Sequence, residues 1–510
     1  MFAFALWDRE ARALTLGRDR LGIKPLCYGV LPGGGLIFGS TLHAVRAHPE
    51  FDAEIDSAAL AAYFRFAYVP GTSTIHAAAR KVAPGTLLTF RRPASAPEAD
   101  RFWSPEEVAT GPRMQANERE ATERVDAALR LAVRQRLLAD VPVGAFLSGG
   151  IDSSLVAALM QEASPQRVRT YSIGSRDAEY DESRHAAAVA AFLGTEHTEL
   201  IVDGSEALAV VPELPLVHDE PFADSSQLPT LLVSRLARRE VTVALSGDGG
   251  DELFGGYNRH VYAPALWRTM SVVPPMARSL VARLASSDAA QRVSGAALGR
   301  AFRSPAVKLR KLAAILPAES PEALYLSLQS QWQAPCSLVL GAGAETRPED
   351  AGGHQLALPE RMMLADLCGY LPGDILTKVD RASMAVSLEV RVPILDHRVV
   401  ELAWRLPLET KLRNAVGKRV LRSVLARRVP RHLWERPKAG FSVPVGAWMR
   451  AELRPWVESL LDPVRLRREG VLHAPTVTRA WNEHISGVDG WEQRLWAVVM
   501  FQAWYESWRR

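Results

Sequence analysis

The first ninety residues alternate short apolar runs with turn residues, a pattern typical of antiparallel strands. The runs are FAFALWD, ALTLGRD, LIFGS and GTLLTF, with a Pro-Gly-Gly-Gly turn at residues 32–35. One longer stretch, SAALAAYFRFAY, predicts a helix among them. We therefore predict a β-rich region over residues 1–95, followed by a linker over residues 96–116 that is rich in Pro, Ala and acidic residues.

The pattern changes at about residue 117, from where apolar strands alternate with amphipathic helices. The strands are VPVGAFL, VRTYSIG, EHTELIV and VTVALS, and the helices are ERVDAALRLAVRQRLLAD, SSLVAALMQEA, ESRHAAAVAAFLG and LPTLLVSRLARR. Apolar strands joined by helices are typical of a doubly wound parallel sheet. Beyond Tyr262 the chain is mostly helical, so residues 117–510 are predicted to form an α/β domain with a helical extension covering the sheet.

Composition is that of an ordinary globular protein, with 48% hydrophobic and 23% charged residues in a chain of 510. The formal net charge of +4 is spread along the chain, which does not favour the clustered basic face of a nucleic-acid-binding protein. Cys27, Cys336 and Cys368 form no CxxC pair and indicate neither a disulfide framework nor a zinc site. No signal peptide and no apolar run of about 18 residues is present. We expect a cytoplasmic protein without a membrane or nucleic-acid partner.

The first candidate site is the segment SGGIDSS, residues 148–154, between the strand VPVGAFL and a helix. Gly149 and Gly150 allow a tight turn whose N–H groups can point at phosphate oxygens, and the following helix presents its positive end. Asp152 would repel a polyphosphate unless a divalent cation lay between them, which indicates Mg²⁺. A capped helix after an ordinary glycine turn would have the same sequence.

The second candidate site is SGDGGDELFGGY, residues 246–257, which follows the strand VTVAL and contains five glycines and three acidic residues. A hairpin turn needs one or two glycines and gains nothing from clustered carboxylates. Asp152 and Asp251, from two different strand ends, are therefore predicted to share one or two metal ions that bridge the phosphates of ATP.

These paired loops resemble the asparagine synthetase family, whose synthetase domain begins with an SGGxDS pyrophosphatase loop and carries an SGEGSDE-like second loop. The likeness extends through YSIGS, EYDESRHAAAVAAFLGTEH, KVDRASMA, LEVRVPILD and RPKAGFSVP, and so covers nearly the whole chain. The resemblance implies an α/β fold, a doubly wound parallel-sheet ATP-pyrophosphatase (adenine nucleotide alpha hydrolase-like) synthetase domain with a helical extension. A partial Ntn-type, class II glutaminase α+β sandwich would precede it.

The resemblance also implies roles for individual positions. ATP would be bound by Leu147, Ser148, Gly149, Gly150, Asp152 and Ser153, with Ile173, Ser246 and Gly247 around the adenosine. Asp152 and Asp251 would be the Mg²⁺ ligands. Asp248 stands where the family usually has Glu, at a position tied to forming the acyl-adenylate. Lys438 would meet the charge on departing pyrophosphate, although without the resemblance its loop reads as a solvated basic segment.

The front of the chain resembles the later part of the family's glutaminase domain, through MFAFALWD, GRDRLGIKPLCYG, FGSTLHAVRAHPE and KVAPGTLLTF. In the family the nucleophile is a cysteine at the mature amino terminus, whereas Phe2 stands here and the glutamine-binding stretches are absent. Cys27 is predicted to be a buried thiol. We expect the chain to use free ammonia, and to expose sheet edges and apolar faces before about residue 100.

The function implied is that of an asparagine synthase-type ligase with ATP and Mg²⁺ as cofactors. Aspartate would be activated as β-aspartyl-AMP with release of pyrophosphate and then amidated by ammonia, which the family normally obtains from glutamine; a homodimer is compatible with this. The alternatives are another carboxylate, such as a sugar acid or secondary metabolite, and a non-catalytic nucleotide-binding remnant. Enzymes that thiolate tRNA share the first loop but would need catalytic cysteines and a clustered basic face, neither of which is visible.

Two polar clusters keep two interpretations each. Asp380, Arg381, Glu389 and Arg391 fit either a position near the site or a structural ion-pair ladder. Residues 218–226, HDEPFADSS, fit either substrate recognition or an ordinary helix cap.

Overall fold

The structure is a computed structural model of the 510-residue chain. It describes residues 1–92, 96–175, 181, 183–202, 204–285, 305–343, 352–436 and 443–509.

Two antiparallel sheets make up the front of the chain. Their strands are β1 (Ala3–Asp8), β2 (Ala13–Arg18), β3 (Cys27–Val30), β4 (Leu36–Gly39), β5 (Ala79–Lys81), β6 (Thr86–Phe90) and β7 (Glu98–Arg101). The strand orders are β1-β2-β6-β7 and β4-β3-β5. The sheets enclose a small apolar core formed by Leu16, Leu26, Val82, Leu88 and Phe90.

Strand β1 is the edge of its sheet, and its large apolar side chains face solvent. Phe4 is 40% exposed, Leu6 60% and Trp7 55%. The expectation of an exposed apolar edge in this region is therefore confirmed. Cys27, on β3, is only 3% exposed, and burial raises the pKa of its thiol to about 12. The prediction of a buried thiol is likewise confirmed.

The predicted linker, residues 96–116, contains regular structure. Strand β7 pairs with β6, and a helix follows at Pro105–Thr110, capped by the Ser104 hydroxyl. The sequence EADR of β7 has no apolar alternation and is fully exposed, so only its backbone pairing defines it as a strand.

The main sheet has five parallel strands, β8 (Val143–Phe146), β9 (Arg169–Ser175), β10 (Glu196–Val202), β11 (Val243–Leu245) and β12 (Glu389–Arg391). Their order is β10-β9-β8-β11-β12. The chain moves outward from β8 through β9 to β10, and then returns to the other side of β8 with β11. The order thus reverses between β8 and β11, the position at which doubly wound sheets open a ligand crevice. The predicted fold class is confirmed.

Helices cover both faces of this sheet. One face packs against Glu118–Arg136, Ile151–Ala163, Ser183–Leu193, His397–Arg405 and Arg419–Ala426. The other packs against Gln227–Arg238, Leu376–Met384 and the last helix, Glu492–Arg509. Among the described residues, every helix is either too short or too polar to span a lipid bilayer.

The remaining helices form the predicted extension and the connections. Their bounds are Leu42–Arg46, Ser57–Phe66, Gly204–Val210, Leu214–Val217, Gly250–Phe254, Asn258–Met270, Pro275–Ala285, Pro305–Ile315, Pro321–Gln329, Leu358–Ala365, Leu408–Lys411, Arg431–Trp434, Val445–Arg450, Arg454–Leu460, Pro463–Glu469 and Ala474–Ile485, with a π-helix at Asp366–Ile375. Strand β12 was not predicted. It is three residues long, too short for a period to be read, and only its pairing with β11 defines it.

The front region and the α/β domain share a core. The helix Ser57–Phe66 inserts Tyr63 and Phe64, both fully buried, against Phe501 of the last helix. The Tyr63 hydroxyl donates to the Ala497 carbonyl at 2.7 Å. The division of the chain at residues 95 and 117 stays a prediction.

Candidate active site

The two glycine-rich loops meet at the edge of the sheet where β8 and β11 end. They can touch because glycine stands at the points of closest approach. A Cβ on Gly247 would lie 2.7 Å from the Ser153 nitrogen, and one on Gly250 would lie 2.5 Å from the carboxyl carbon of Asp152. Any other residue at either position would push the two loops apart.

The loops bring Asp152 and Asp251 to a common cation, the ammonium of Lys418. Asp152 lies in the first turn of the helix Ile151–Ala163 and Asp251 in the first turn of Gly250–Phe254. Lys418 Nζ contacts a carboxylate oxygen of each, with 2.8 Å to Asp251 Oδ1. Burial alone would lower the pKa of Lys418, but the two carboxylates outweigh it and raise that pKa above its ordinary value.

A cavity of about 400 Å³ opens beside these groups. All but two of the predicted site residues line its wall. Those on the wall are Leu147, Ser148, Gly150, Asp152, Ser153, Ile173, Ser246, Gly247, Asp248 and Asp251. Gly149 instead supports the wall from behind, with φ +72° and the backbone of the helix Ser183–Leu193 within 2.7 Å of a hypothetical Cβ. Lys438 lies outside the described residues. The roles of these residues stay predictions.

Asp248 lies in the second loop on the cavity wall. The Ser246 hydroxyl donates to Asp248 Oδ2 at 2.8 Å. Burial raises the pKa of Asp248, and the Ser246 hydrogen bond and the Lys378 charge oppose that rise. The carboxylate is therefore held in one orientation just beyond the carboxyl end of strand β11.

Lys378 is a second lysine on the cavity wall. It lies on the helix Leu376–Met384, and its Nζ donates to Asp224 Oδ2 at 2.6 Å and to the Ser226 hydroxyl at 2.7 Å. Burial raises and the Lys378 charge lowers the pKa of Asp224, for a net decrease to about 2. The second half of the polar cluster at residues 218–226 thus fixes a cation at the cavity.

The first half of that cluster joins the front region to the α/β domain. Arg381 Nη2 lies 2.9 Å from Asp219 Oδ2, which also accepts the Leu42 N–H at 2.6 Å. Glu220 contacts Lys81 and accepts the Ile75 N–H at 3.2 Å. These buried acids are therefore structural bridges between the two regions.

The second polar cluster that the sequence left open, Asp380, Arg381, Glu389 and Arg391, separates into two pairs. Asp380 binds Lys24 of the front region at 3.0 Å and Arg381 at 3.3 Å. Glu389 and Arg391 pair with each other on β12 at 2.7 Å, away from the cavity wall. The geometry is that of structural ion pairs in both cases.

His218, between these bridges, should make the protein sensitive to acid. Burial lowers the pKa of its imidazole to about 3, and the ring stacks on Phe222 with centroids 4.4 Å apart. A histidine with a lowered pKa in the folded state stabilises the fold above about pH 6.5, and that stability is lost as the pH falls below it. We expect a loss of about 2 kcal/mol between pH 6.5 and pH 5.

Urea unfolding of the native chain and of His218→Phe across this pH range measures the effect. No described residue hydrogen-bonds either ring nitrogen of His218, so phenylalanine should be tolerated. The variant should lose stability less steeply than the native chain as pH falls. His432→Phe, at an exposed position, is the control and should keep the native slope. Parallel slopes for the native chain and His218→Phe would contradict the prediction.

Beneath the cavity lies a buried polar network that sequence reasoning did not find. Tyr257, on the wall, donates its hydroxyl to Glu252 at 2.7 Å, and the Arg259 guanidinium lies 3.9 Å from the centre of the Tyr257 ring. Arg259 in turn binds Asp366 at 2.8 Å. Asp366 is fully buried and also bonds His260 and Tyr325.

Lys418 and Arg422 are two charged cavity residues that the sequence did not indicate. They follow an exposed turn and open an amphipathic helix, where basic residues are common and carry no signal. Gly417 is a weak clue, because a Cβ there would lie 2.1 Å from the Gly255 carbonyl oxygen.

The sequence matches two family models. Residues 124–506 match the family described as asparagine synthase, and residues 1–103 match the one described as glutamine amidotransferase domain. The first match alone covers well over half of the chain.

Individual relatives agree with this. A protein of Mycobacterium tuberculosis named "Putative asparagine synthetase (glutamine-hydrolyzing)" is 34% identical over 522 residues, covering 99% of this chain and 76% of its own length. Glutamine-hydrolyzing asparagine synthetase 1 of Bacillus subtilis is 30% identical over 508 residues, covering 99% of this chain and 77% of its own length. Amidase chyE of Penicillium rubens is 31% identical over 278 residues, covering 50% of this chain and 40% of its own length. The chain belongs to the asparagine synthetase family, a family of ATP-dependent amide-forming ligases.

Proposed function

We propose that this chain activates the side-chain carboxylate of aspartate as an AMP ester, with release of pyrophosphate, and transfers the acyl group to ammonia. The observation that carries the proposal is the meeting of Asp152 and Asp251 at one cation, on the cavity wall where the strand order reverses. A site of this kind suits a nucleotide polyphosphate and a divalent cation.

The residues present fit ATP and Mg²⁺. Gly247 and Gly250 approach the first loop closely and bring no side chain of their own to the start of the helix Ile151–Ala163. Carboxylate oxygens are the ligands that Mg²⁺ prefers, and Asp152 and Asp251 supply them. Bound together, the nucleotide and the cation would supply the activating phosphoryl centre and neutralise the charge of the leaving pyrophosphate.

The protein's own groups would orient the reactants. Lys378, held by Asp224 and Ser226, presents a positive charge to an anionic substrate group in the cavity. Asp248, fixed by Ser246, would orient the acyl group against the nucleotide. Ile173, Leu147 and Val233 offer apolar wall to an adenine ring.

We further propose that free ammonia is the nitrogen donor used by this chain. Cys27, the cysteine of the front region, is buried and its pKa is raised to about 12, so its thiol does not suit nucleophilic attack on glutamine.

A second substrate class has its own support. Asp248 stands where the family usually has Glu, and half of the chain is similar to a relative named as an amidase. A side chain shorter by one methylene leaves more room beside the reacting carboxylate, which favours a bulkier acid.

The test measures pyrophosphate release and amide product by mass spectrometry, with ATP, Mg²⁺ and ammonium present. Aspartate is compared with glutamate, a sugar acid and buffer alone. We expect pyrophosphate and asparagine in equal amounts with aspartate. Product with a different acid alone would establish the second substrate class, and no pyrophosphate with any acid would favour a nucleotide-binding remnant.

Replacing ammonium by glutamine in the same assay tests the nitrogen donor. We expect no asparagine above the level given by ammonia contaminating the glutamine. Stoichiometric glutamate and asparagine from glutamine would contradict the proposal for ammonia and leave the ligase assignment intact.

A further inference from the structure

Lys418 occupies the space between two carboxylates that the proposed function assigns to a metal ion. Its side chain contacts both Asp152 and Asp251, and the residue is 8% exposed. Opposite charges in such a buried position attract strongly. The cation found at the centre of the site therefore belongs to the protein itself.

The position of this lysine is built into the backbone. Lys418 has left-handed angles, φ 55° and ψ 29°, which a residue with a side chain rarely adopts. Its N–H donates to the Phe254 carbonyl at 2.8 Å, and Gly417 packs directly on the Gly255 carbonyl. A Cβ on Gly256 would lie 2.2 Å from Lys418 Cε. The lysine backbone is thus fixed to the second loop, and a glycine leaves room for its side chain.

The two carboxylates do not by themselves make a complete metal site. Within the described ranges no group of three or more His, Cys, Asp or Glu side chains is placed to hold a metal ion. Mg²⁺ demands six oxygen ligands in octahedral geometry, and in nucleotide sites it takes one or two carboxylates together with phosphate oxygens and water. Most of the ligands would therefore have to arrive with the nucleotide.

An ammonium and a divalent cation cannot share this space. Both need the same carboxylate oxygens, and their like charges would repel at contact distance. The lysine stem has four flexible carbons, so its ammonium can move several ångströms while the backbone stays fixed. The phosphate oxygens of a nucleotide would offer it a new partner on the same cavity wall.

We propose that Lys418 is an exchangeable counter-ion, which neutralises the Asp152–Asp251 pair in the nucleotide-free protein and keeps divalent cations out. The lysine yields the carboxylates only to a cation that arrives with a nucleotide, and its ammonium then binds the polyphosphate. Nucleotide and metal consequently bind with positive coupling, and free metal binds poorly. This inference rests on the proposed function for its assignment of the two aspartates.

Mn²⁺ is the probe, because it has the charge of Mg²⁺ and its free form is counted by electron paramagnetic resonance. The full chain is titrated with Mn²⁺ alone and in the presence of α,β-methylene ATP, which is not cleaved, and the Mn²⁺ held by the analogue in a protein-free titration is subtracted. The native chain should bind Mn²⁺ at least about ten-fold more tightly with the nucleotide analogue than without it. Lys418→Met should bind Mn²⁺ alone at least about ten-fold more tightly than the native chain does.

Three further variants make the comparison specific. Lys418→Arg keeps the charge and should exclude Mn²⁺ as the native chain does. Lys418→Gln is a second neutral variant that should show the same gain of Mn²⁺ binding, and it takes the place of Lys418→Met if that variant does not fold. The double variant Lys418→Met/Asp251→Asn should lose the gained Mn²⁺ binding, which locates it at the aspartate pair.

The proposal is overturned if neither neutral variant binds Mn²⁺ alone more tightly than the native chain. It is equally overturned if the native chain binds Mn²⁺ without nucleotide as tightly as with it. The pyrophosphate assay separates these failures from failure of the proposed function. If the native chain releases pyrophosphate but the neutral variants gain no Mn²⁺ binding, the proposed ligase function is supported and the proposed exchange at Lys418 is wrong. If the neutral variants gain Mn²⁺ binding but the native chain releases no pyrophosphate, the exchange is supported and the ligase function is wrong.

Discussion

Asp152→Asn should leave the protein folded and lower pyrophosphate release at least about a hundred-fold, because the variant loses one of two carboxylates placed for the cation. The asparagine side chain has nearly the same shape, so the close contact with Gly250 is preserved. Asp251 still pairs with Lys418 at 2.8 Å, which keeps the second loop in position. The measurement is the initial rate of pyrophosphate release with ATP, Mg²⁺, aspartate and ammonium.

Asp140→Asn is the matched control for this variant. Asp140 is exposed, lies in the loop that precedes strand β8 and does not line the cavity. It makes the same chemical change close in sequence to the site and should keep the native rate within about two-fold. Native activity in Asp152→Asn would remove the assignment of this carboxylate to the cation.

Asp366→Leu should destabilise the fold strongly, because Asp366 is the shared acceptor of the buried polar network beneath the cavity. Asp366 is fully buried and accepts hydrogen bonds from Arg259, Tyr325 and Gln329, with His260 also in contact. Removing the carboxylate leaves a largely buried guanidinium and several donors without their acceptor. Breaking a buried ion pair from one side typically costs about 3–5 kcal/mol of unfolding free energy.

Urea unfolding followed by tryptophan fluorescence measures this change. Tyr325→Phe removes a single donor to the same carboxylate and should cost only about 1 kcal/mol, which makes it the graded control. Because Arg259 also supports the Tyr257 ring on the cavity wall, Asp366→Leu should weaken nucleotide binding as well. An unfolding midpoint equal to that of Tyr325→Phe would show that the network does not depend on the Asp366 charge.

The fold class could be predicted because its signals are local. The strands VPVGAFL and VTVAL are uniformly apolar and are followed at once by glycines, which fixes both the buried sheet and the position of the loops. The glycines of the second loop are also consistent with its contact with the first loop, since Gly247 and Gly250 stand where a Cβ would collide with Asp152 or Ser153. Strands β5, β7 and β12 were missed because their sequences are short and polar or mixed, and their identity depends on a neighbouring strand.

Side-chain partners could not be predicted where they lie far apart in the chain. The polar segment at residues 218–226 looks uniform in sequence, yet Asp219 faces Leu42 and Arg381 whereas Asp224 faces Lys378. Which acid serves the cavity and which joins the two regions depends on the helix Leu376–Met384, whose lysine and arginine point in different directions.

By itself the sequence determined the alternation of strands and helices, the two glycine-bent loops and the presence of an acid on each. These features follow from backbone sterics and from hydrophobic periods of a few residues. Only the tertiary structure decided which cation lies between those acids, because Lys418 is 266 residues from Asp152 in the chain. Packing of the turn at Gly417 against Gly255 brings it there, and such a contact leaves no periodic trace in the sequence.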